Sequence, residues 1–168
     1  LKKALLTFDQ HPKSYLANVS FKELMSLDDK AMFLEEYGFD YLFVLKFDFE
    51  LASMRALDFI NEFIVKTNIK HIICGFDFHF GKNGEGNFET LIQNEKNDYE
   101  VSVIKKQEYN HHKISSSYLK EALTNGDVEL VEKLLGRYYC VSGKVVHGLK
   151  NGRKIGFPTV NIDANNYF

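Results

Sequence analysis

The first two thirds of the chain alternate between short apolar runs and amphipathic stretches. Runs with the length and composition of buried strands occur at residues 4–8, 41–47, 70–74 and 101–104. Apolar residues at helical spacing predict helices at residues 28–37, after residues 53–55, and at residues 88–94. Because strands alternate with helices, we predict right-handed βαβ units and an α/β fold with a mostly parallel sheet.

The pattern changes after Ile114, where two predicted helices follow each other without a strand between them. The first comes after a run of three serines and stops at Asn125-Gly126. The second begins at Asp127, a good N-cap residue, and runs to Leu135.

The last part of the chain has a β-type pattern. Residues 138–147 alternate, residues 150–152 carry an Asn-Gly turn signal, and residues 153–160 return, which together predict a hairpin. We therefore predict a domain boundary near Arg137, with one domain at residues 1–137 and a second at residues 138–168.

Several apolar residues are predicted to be core. The helix after residues 53–55 presents one such face, made of Leu57, Ile60, Phe63 and Ile64. Cys74 and Cys140 each lie in an apolar strand candidate, so we expect reduced, buried thiols in a cytoplasmic protein rather than a disulfide.

The charge balance is nearly neutral. The 168 residues include 21 Lys and Arg against 23 Asp and Glu, for a net charge of -2, so we expect neither nucleic acid nor an anionic membrane as a partner. The longest apolar run, residues 41–45, is far shorter than the roughly 20 residues of a membrane helix, and no signal peptide is evident. Because the chain starts without Met in a strand-like run, we expect a fragment or the loss of an N-terminal element.

Residues 75–81, Gly-Phe-Asp-Phe-His-Phe-Gly, directly follow a predicted strand. In open parallel sheets, ligands bind in the crevice outside the carboxyl ends of the strands, and glycines let the backbone approach a ligand closely. This favours a nucleotide site. The alternative is a tight turn whose Phe76, Phe78 and Phe80 are core.

The serine triplet Ser115, Ser116 and Ser117 precedes a predicted helix. A helix N-terminus with free N–H groups and hydroxyls is an anion site, and Lys120 shares a helix face with Ser116. Simple capping of the helix is the alternative. If the triplet and residues 75–81 face one cleft, they hold a triphosphate between them.

The six histidines do not predict a metal site. His111 and His112 are adjacent and point apart on a regular element, so we expect exposed loop residues. His71 is expected to be a sheet-edge histidine or one whose hydrogen bonds are satisfied, rather than a metal ligand. With no Cys or His pair at zinc spacing, we expect no structural zinc.

Four motifs in series resemble the bacterial bifunctional riboflavin kinase/FMN adenylyltransferases, also called FAD synthetases. These are Thr-Phe-Asp-Gln-His-Pro at residues 7–12, residues 75–81, Ile-Ser-Ser-Ser-Tyr-Leu-Lys at residues 114–120, and residues 143–161. The resemblance implies a Rossmann-like nucleotidyltransferase domain followed by the opening strands of an incomplete riboflavin kinase β-barrel.

The resemblance also implies roles for residues of the first domain. A nucleotide and flavin pocket would be lined by Asp9, His11, Gly75, Asp77 and Phe78, and the ATP phosphates would be bound by Ser115, Ser116, Ser117 and Lys120. Lys120 stands where the family usually has Arg, so a point charge replaces a bidentate fork. The His-x-Gly-His string expected after the first strand does not occur, which leaves the catalytic residues unassigned.

In the second domain, the Pro-Thr-x-Asn segment implies a site for a Mg-nucleotide at Thr159 and Asn161, with Thr159 on Mg²⁺, a metal that prefers hard oxygen ligands. The resemblance therefore implies FAD biosynthesis, in which AMP passes from ATP to FMN, with riboflavin phosphorylation by the complete protein. The alternatives are another small-molecule nucleotidyltransferase and a flavin- or nucleotide-binding module without turnover. The sequence leaves the oligomeric state open.

Overall fold

The computed structural model describes residues 1–17, 22–95 and 98–164. The strands are β1 (Ala4–Phe8), β2 (Tyr41–Leu45), β3 (His71–Gly75), β4 (His79–Phe80), β5 (Gly86–Asn87), β6 (Glu100–Ile104), β7 (Glu108–Tyr109), β8 (His112–Lys113), β9 (Lys144–Val146) and β10 (Asn161–Asp163). The α-helices are α1 (Pro12–Ala17), α2 (Leu27–Glu36), α3 (Phe49–Ser53), α4 (Ala56–Phe59), α5 (Phe88–Gln93), α6 (Ser116–Thr124), α7 (Val128–Leu135) and α8 (Asn151–Lys154). A π-helix, Ile60–Val65, continues α4, and a short 3₁₀ turn, Lys82–Gly84, lies between β4 and β5.

The strands pair two by two in the described residues. β3 and β6 are parallel, with His71 opposite Glu100 and Gly75 opposite Ile104. β1 pairs with β2, while β4–β5, β7–β8 and β9–β10 are antiparallel. The chain is therefore a mixed α/β protein whose short parallel pairs fit a Rossmann-like domain. The prediction of a mostly parallel sheet was too simple, because local hairpins supply three of these pairs.

The chain forms two compact units. The first consists of Leu1–Thr7, Ser20–Phe43 and Ser115–Phe168, and the second of Phe8–Val19 and Val44–Ile114. No helix in the described part of the chain has both the length and the apolar character needed to cross a membrane.

The core of the second unit forms around the parallel β3–β6 pair. Its buried residues are Ala56, Phe59, Ile60, Ile64, Cys74, Phe80, Leu91 and Tyr99. The hydroxyl of Tyr99 donates to the carbonyl of Leu91 at 3.0 Å, so the buried polar group is satisfied. This core supports the loop that leaves β3.

In the first unit, α2 and α7 begin and end close to the residues predicted from the sequence. Ser26 and Asp29 form a reciprocal capping box at the start of α2, and Asp127 caps α7. Gly136 ends α7 with a φ of 67°. The predicted end of α6 and both predicted limits of α7 are confirmed, whereas α6 begins at Ser116, within the serine run rather than after it. The buried residues of the two helices are Leu119, Ala122, Val131 and Leu134.

The second strand is shorter than predicted. It ends at Leu45 rather than Phe47, because the Asp9 carboxylate accepts the Phe47 N–H at 2.8 Å in place of a further ladder bond. The strand is also less buried than expected, since Tyr41 and Phe43 are each about half exposed.

The helix predicted after residues 53–55 is confirmed, as α4 and the π-helix that continues it to Val65. α3 ends at Ser53, and α4 begins at Ala56, whose N–H donates to Glu85 Oε1 at 2.8 Å. Ile60 and Ile64 are buried as predicted, but the prediction of a core Leu57 was wrong. Ala56 takes the inward position of the first turn, and Leu57 is 54% exposed.

The predicted hairpin turn at residues 150–152 was wrong. A two-residue type I′ turn needs positive φ at both central residues, and among these three only Lys150 has one, at 56°. Residues 151–154 instead form the helical turn α8, and the returning strand is β10. Instead of the strands predicted at residues 138–147 and 153–160, the structure has the two three-residue strands β9 and β10.

The two cysteines differ in environment. Both are free, and Cys74 is buried with its pKa raised by burial. The expectation of a second buried thiol was wrong, because Cys140 lies on an exposed segment outside any strand.

Candidate functional site

Asp9 and His11 lie at the C-terminal end of β1. Asp9 is held against the end of β2 by two bonds, from its own N–H to Leu45 O at 3.0 Å and from Phe47 N–H to its carboxylate. His11 directly precedes α1, and its Nδ1 accepts the N–H of Lys13 at 3.1 Å. The carboxylate and the imidazole are thus both placed where α/β proteins bind ligands.

Gly75, Asp77 and Phe78 belong to the turn that leaves β3. The N–H of Phe78 donates to Gly75 O at 3.1 Å, and a Cβ on Gly75 would lie 3.2 Å from Asp77 Oδ1. The turn therefore brings these three predicted residues together. The Asp77 carboxylate is half exposed, and Lys113 donates a hydrogen bond to it that holds its pKa below the ordinary value.

The three phenylalanines of this segment have different roles. Phe80 is buried, Phe78 packs on the same core with its ring stacked 5.5 Å from that of Phe80, and Phe76 is 37% exposed. The core interpretation therefore holds for Phe80 and in part for Phe78. A core anchor and an exposed polar turn thus alternate along the segment, and its role as a nucleotide site stays a prediction.

Glycine is required at Gly81, which closes the segment. Its φ of 76° and ψ of 175° lie in a region that other residues rarely adopt. A Cβ there would lie 2.7 Å from the backbone nitrogen of Ala56. The segment is thus packed directly against the start of α4.

The serine triplet forms the start of α6. Ser115 is the N-cap, and its Oγ accepts the N–H of Tyr118 at 3.2 Å. Ser116 and Ser117 are the first two helical residues, and both are exposed. Capping therefore accounts for one of the three hydroxyls, and two are left accessible beside the N–H groups of the first turn.

Lys120 lies one turn further along α6, on the same face as Ser116. Its Nζ donates to the main-chain oxygen of Lys22 at 2.5 Å, and burial lowers the pKa of its ammonium. Residues 75–81 belong to the second unit, whereas the triplet and Lys120 belong to the first. Their convergence on one triphosphate stays a prediction.

Thr159 and Asn161 are exposed residues at the entry to β10. Asn161 pairs with Val146, and a Cβ on Gly148 would lie 2.5 Å from the Asn161 amide nitrogen. The two side chains offer a hydroxyl and an amide oxygen, which suit Mg²⁺ when nucleotide phosphates and water supply its other ligands. Neither residue belongs to an acidic or histidine cluster, and no such metal-binding group occurs in residues 1–17, 22–95 and 98–164.

A cavity that the sequence did not indicate opens beside the end of β2. Its volume is about 240 Å³, and its lining residues are Leu45, Lys46, Asp48, Glu50, Leu51, Met54 and Phe63. Asp48 caps α3 by accepting the N–H of Leu51, and this bond lowers the pKa of its carboxyl. The signal that could have found the cavity is the polar Lys46 and Asp48 just after the strand.

The β7–β8 hairpin and its Lys113 were likewise not predicted from the sequence. The available signal was Asn110, a residue that tolerates positive φ, between short alternating runs. Lys113 bonds to Asp77, which lies 36 positions away in the sequence, so a local sequence pattern could not predict this contact.

Two protein families match this chain in series. The FAD synthetase family model matches residues 1–118, and the riboflavin kinase family model matches residues 135–168. The chain belongs to the FAD synthetase family. The resemblance seen in the four sequence motifs is thereby confirmed.

Relatives of this chain match nearly all of its length. The bifunctional riboflavin kinase/FMN adenylyltransferase of Bacillus subtilis is 40% identical over 170 residues, covering 100% of this chain and 54% of that protein. The protein of the same name from Listeria monocytogenes is 38% identical over 167 residues, covering 98% and 53%. The chain spans about half the length of the curated relatives it matches.

A solved structure has the same fold. The crystal structure of a protein described as a macrolide-efflux protein from Streptococcus pneumoniae matches with a TM-score of 0.88 and 31% identity. The match covers 100% of this chain and 56% of that one. The α/β architecture described above therefore exists in an experimentally determined relative.

Proposed function

We propose that this chain carries the FMN adenylyltransferase function of FAD biosynthesis, moving AMP from ATP to FMN with release of pyrophosphate. The observation that carries the proposal is the FAD synthetase match over residues 1–118. The exposed polar turn at the end of a parallel strand adds a geometric reason, because such turns are where α/β proteins bind nucleotides.

In the proposed reaction, a phosphate oxygen of FMN attacks the α-phosphorus of ATP in line, and the bond to pyrophosphate breaks. The work of the protein is to position the reactants and neutralise the developing charge. The exposed hydroxyls of Ser116 and Ser117 and the N–H groups at the start of α6 are suited to bind the ATP phosphates. Lys120 would add one positive charge, and Ser115 would hold the cap.

The flavin and nucleotide pocket is assigned to the ends of β1 and β3. This pocket would contain the carboxylates of Asp9 and Asp77 and the imidazole of His11. Gly75 would let the backbone approach a ligand closely, and Phe78 would offer an aromatic face. The group that stabilises the transferred α-phosphorus remains unassigned, because the chain contains no His-x-Gly-His string.

A second function is favoured by the riboflavin kinase match over residues 135–168. We assign residues 138–168 to the opening strands of a riboflavin kinase barrel, and we propose that Thr159 and Asn161 bind a Mg-nucleotide. Mg²⁺ would supply positive charge to the phosphates there. The division into domains at residues 1–137 and 138–168, a cytoplasmic location, and the absence of nucleic-acid and membrane partners stay predictions.

The test is FAD formation from FMN and MgATP by the purified chain, followed by chromatography. The double variant Ser116→Ala/Ser117→Ala should raise the KM for MgATP while leaving the far-ultraviolet circular dichroism unchanged. Thr124→Ala is the matched control, since it removes an exposed hydroxyl from the other end of α6, where it donates to Lys120 O at 2.8 Å. Unchanged MgATP kinetics in the double variant would refute the phosphate assignment.

The same assay separates the two alternatives. Binding of FMN or ATP without any FAD would favour a binding module. Pyrophosphate release with a different phosphorylated acceptor, and none with FMN, would favour another nucleotidyltransferase.

A further inference from the structure

The β7–β8 hairpin is a small, well-defined element next to the loop that leaves β3. Asn110 and His111 have φ values of 49° and 64°, as the central residues of a type I′ turn require. At its open end the N–H of Ile114 donates to Gln107 O at 2.9 Å. Backbone hydrogen bonds of the hairpin therefore lie both before and after Lys113 in the sequence, and they fix the strand that carries it.

Lys113 contacts two consecutive residues of that loop. Its ammonium donates a hydrogen bond to Asp77 Oδ2, and the same nitrogen lies 4.9 Å from the centre of the Phe76 ring. A cation over an aromatic face is attracted by the ring quadrupole. The flexible lysine stem is thus restrained at its tip by two groups.

The loop itself is bonded through its main chain. Phe76 N–H donates to Ile104 O at 3.0 Å, Phe78 N–H donates to Gly75 O, and His79 Nδ1 lies 3.0 Å from Asp77 O. These bonds hold the backbone from within the loop and from β6, and the contacts of Lys113 with Asp77 and Phe76 add a tie to the β7–β8 hairpin that also sets the direction of the Asp77 carboxylate.

We propose that Lys113 is a positioning residue that orients the Asp77 side chain and offsets its negative charge, so that an anionic flavin phosphate substrate can enter the pocket. The inference rests on the proposed function, because it takes the pocket beside Asp77 to be the FMN site. Without the ammonium, a carboxylate at the end of β3 would repel a phosphorylated ligand. In this proposal the lysine acts through its contact with Asp77.

The test uses the full chain with Lys113→Met, which keeps an unbranched side chain one atom shorter than that of lysine and removes its charge. Lys113→Arg restores a positive charge, and Lys66→Met is the control because Lys66 forms an exposed ion pair with Glu62 elsewhere in the same unit. Two readouts are measured: amide hydrogen exchange at Phe76 and Phe78 by NMR, and affinities for FMN and MgATP by titration.

With Lys113→Met we expect exchange at both amides to rise about two- to fivefold, the range that an exposed ion pair supports. FMN affinity should fall by a similar factor, MgATP affinity should stay unchanged, and Lys113→Arg should restore both readouts. In a double-mutant cycle, Lys113→Met should have little further effect in the Asp77→Asn background.

Two results would overturn the inference. Unchanged exchange at Phe76 and Phe78 would mean that Lys113 does not order the loop, and faster exchange with unchanged FMN affinity would mean that the order does not serve the substrate. If the unmodified chain binds no FMN, the proposed function fails, and the exchange data still decide whether Lys113 holds the loop.

Discussion

The hydroxyl of Ser142 donates a hydrogen bond of 2.5 Å to Asp29 Oδ1, across 113 positions of sequence. Asp29 is the buried acid of the α2 capping box, so the segment after α7 is attached to the start of α2. Arg137 makes a second contact with that helix, its guanidinium carbon lying 3.9 Å from the centre of the Phe33 ring. The first residues of the riboflavin kinase match therefore contact α2, a helix of the same unit.

Asp29 should make the stability of the protein depend on acid. Hydrogen bonds from Ser142 and then Ser26 lower the pKa of its carboxyl below the ordinary 3.8. A lowered folded-state pKa means that the stabilisation is complete above the unfolded value and disappears as pH falls through the folded value. Asp29→Asn should thus lower the free energy of unfolding at neutral pH and have little effect in strong acid.

Urea denaturation from about pH 7 to about pH 2 measures this difference. Asp28→Asn is the control, because Asp28 is an exposed acid in the same first turn. A difference between the protein and Asp29→Asn that stays constant with pH would contradict the prediction.

Substitutions at Ser115 and Ser117 should differ in their effect on stability, because only Ser115 caps α6. Ser115→Ala removes the acceptor of the Tyr118 N–H and should lower the free energy of unfolding by about 0.5–2 kcal/mol. Ser117→Ala should have little effect on stability, because Ser117 lies inside the first turn and is exposed. Thermal denaturation of both variants checks this, and equal losses would show that Ser115 is not the cap.

Gly81 should resist substitution more than another glycine with positive φ. Gly81→Ala combines a strained conformation with a Cβ 2.8 Å from Ala56 Cα, so we expect a loss of more than about 2 kcal/mol. Gly126 has a φ of 73°, and no atom of the described residues lies within 4 Å of the position a Cβ would take, so Gly126→Ala measures strain alone. Equal losses for the two variants would mean that the contact with α4 is relieved by small shifts.

Leu91 should be the most sensitive position of α5. It is 1% exposed in the core of the second unit, so Leu91→Ala should cost about 2–5 kcal/mol. The neighbouring Ile92 is 45% exposed, and Ile92→Ala should change stability by about 0.5 kcal/mol or less. Chemical denaturation of both variants measures these losses. Similar losses of unfolding free energy would contradict the burial of Leu91 and the exposure of Ile92.

The sequence by itself determined the features that depend on neighbouring residues. The caps at Ser26, Asp127 and Gly136 bond within one turn of their own helix, so the limits of α2 and α7 could be predicted. The motifs at residues 75–81 and 114–120 were likewise sufficient to indicate the family, because each is a short contiguous string. The roles of their residues in the site stay predictions.

Tertiary structure decided the features in which distant residues compete. The end of β2 at Leu45 depends on Asp9, and the exposure of Leu57 depends on Ala56 taking the position beside the residue 75–81 loop. The contact between Lys113 and Asp77 joins two segments that share no pattern. Local periodicity carries information about the neighbours of a residue in sequence, whereas these outcomes are set by packing and hydrogen bonds between distant segments, such as the 38 positions that separate Asp9 from Phe47.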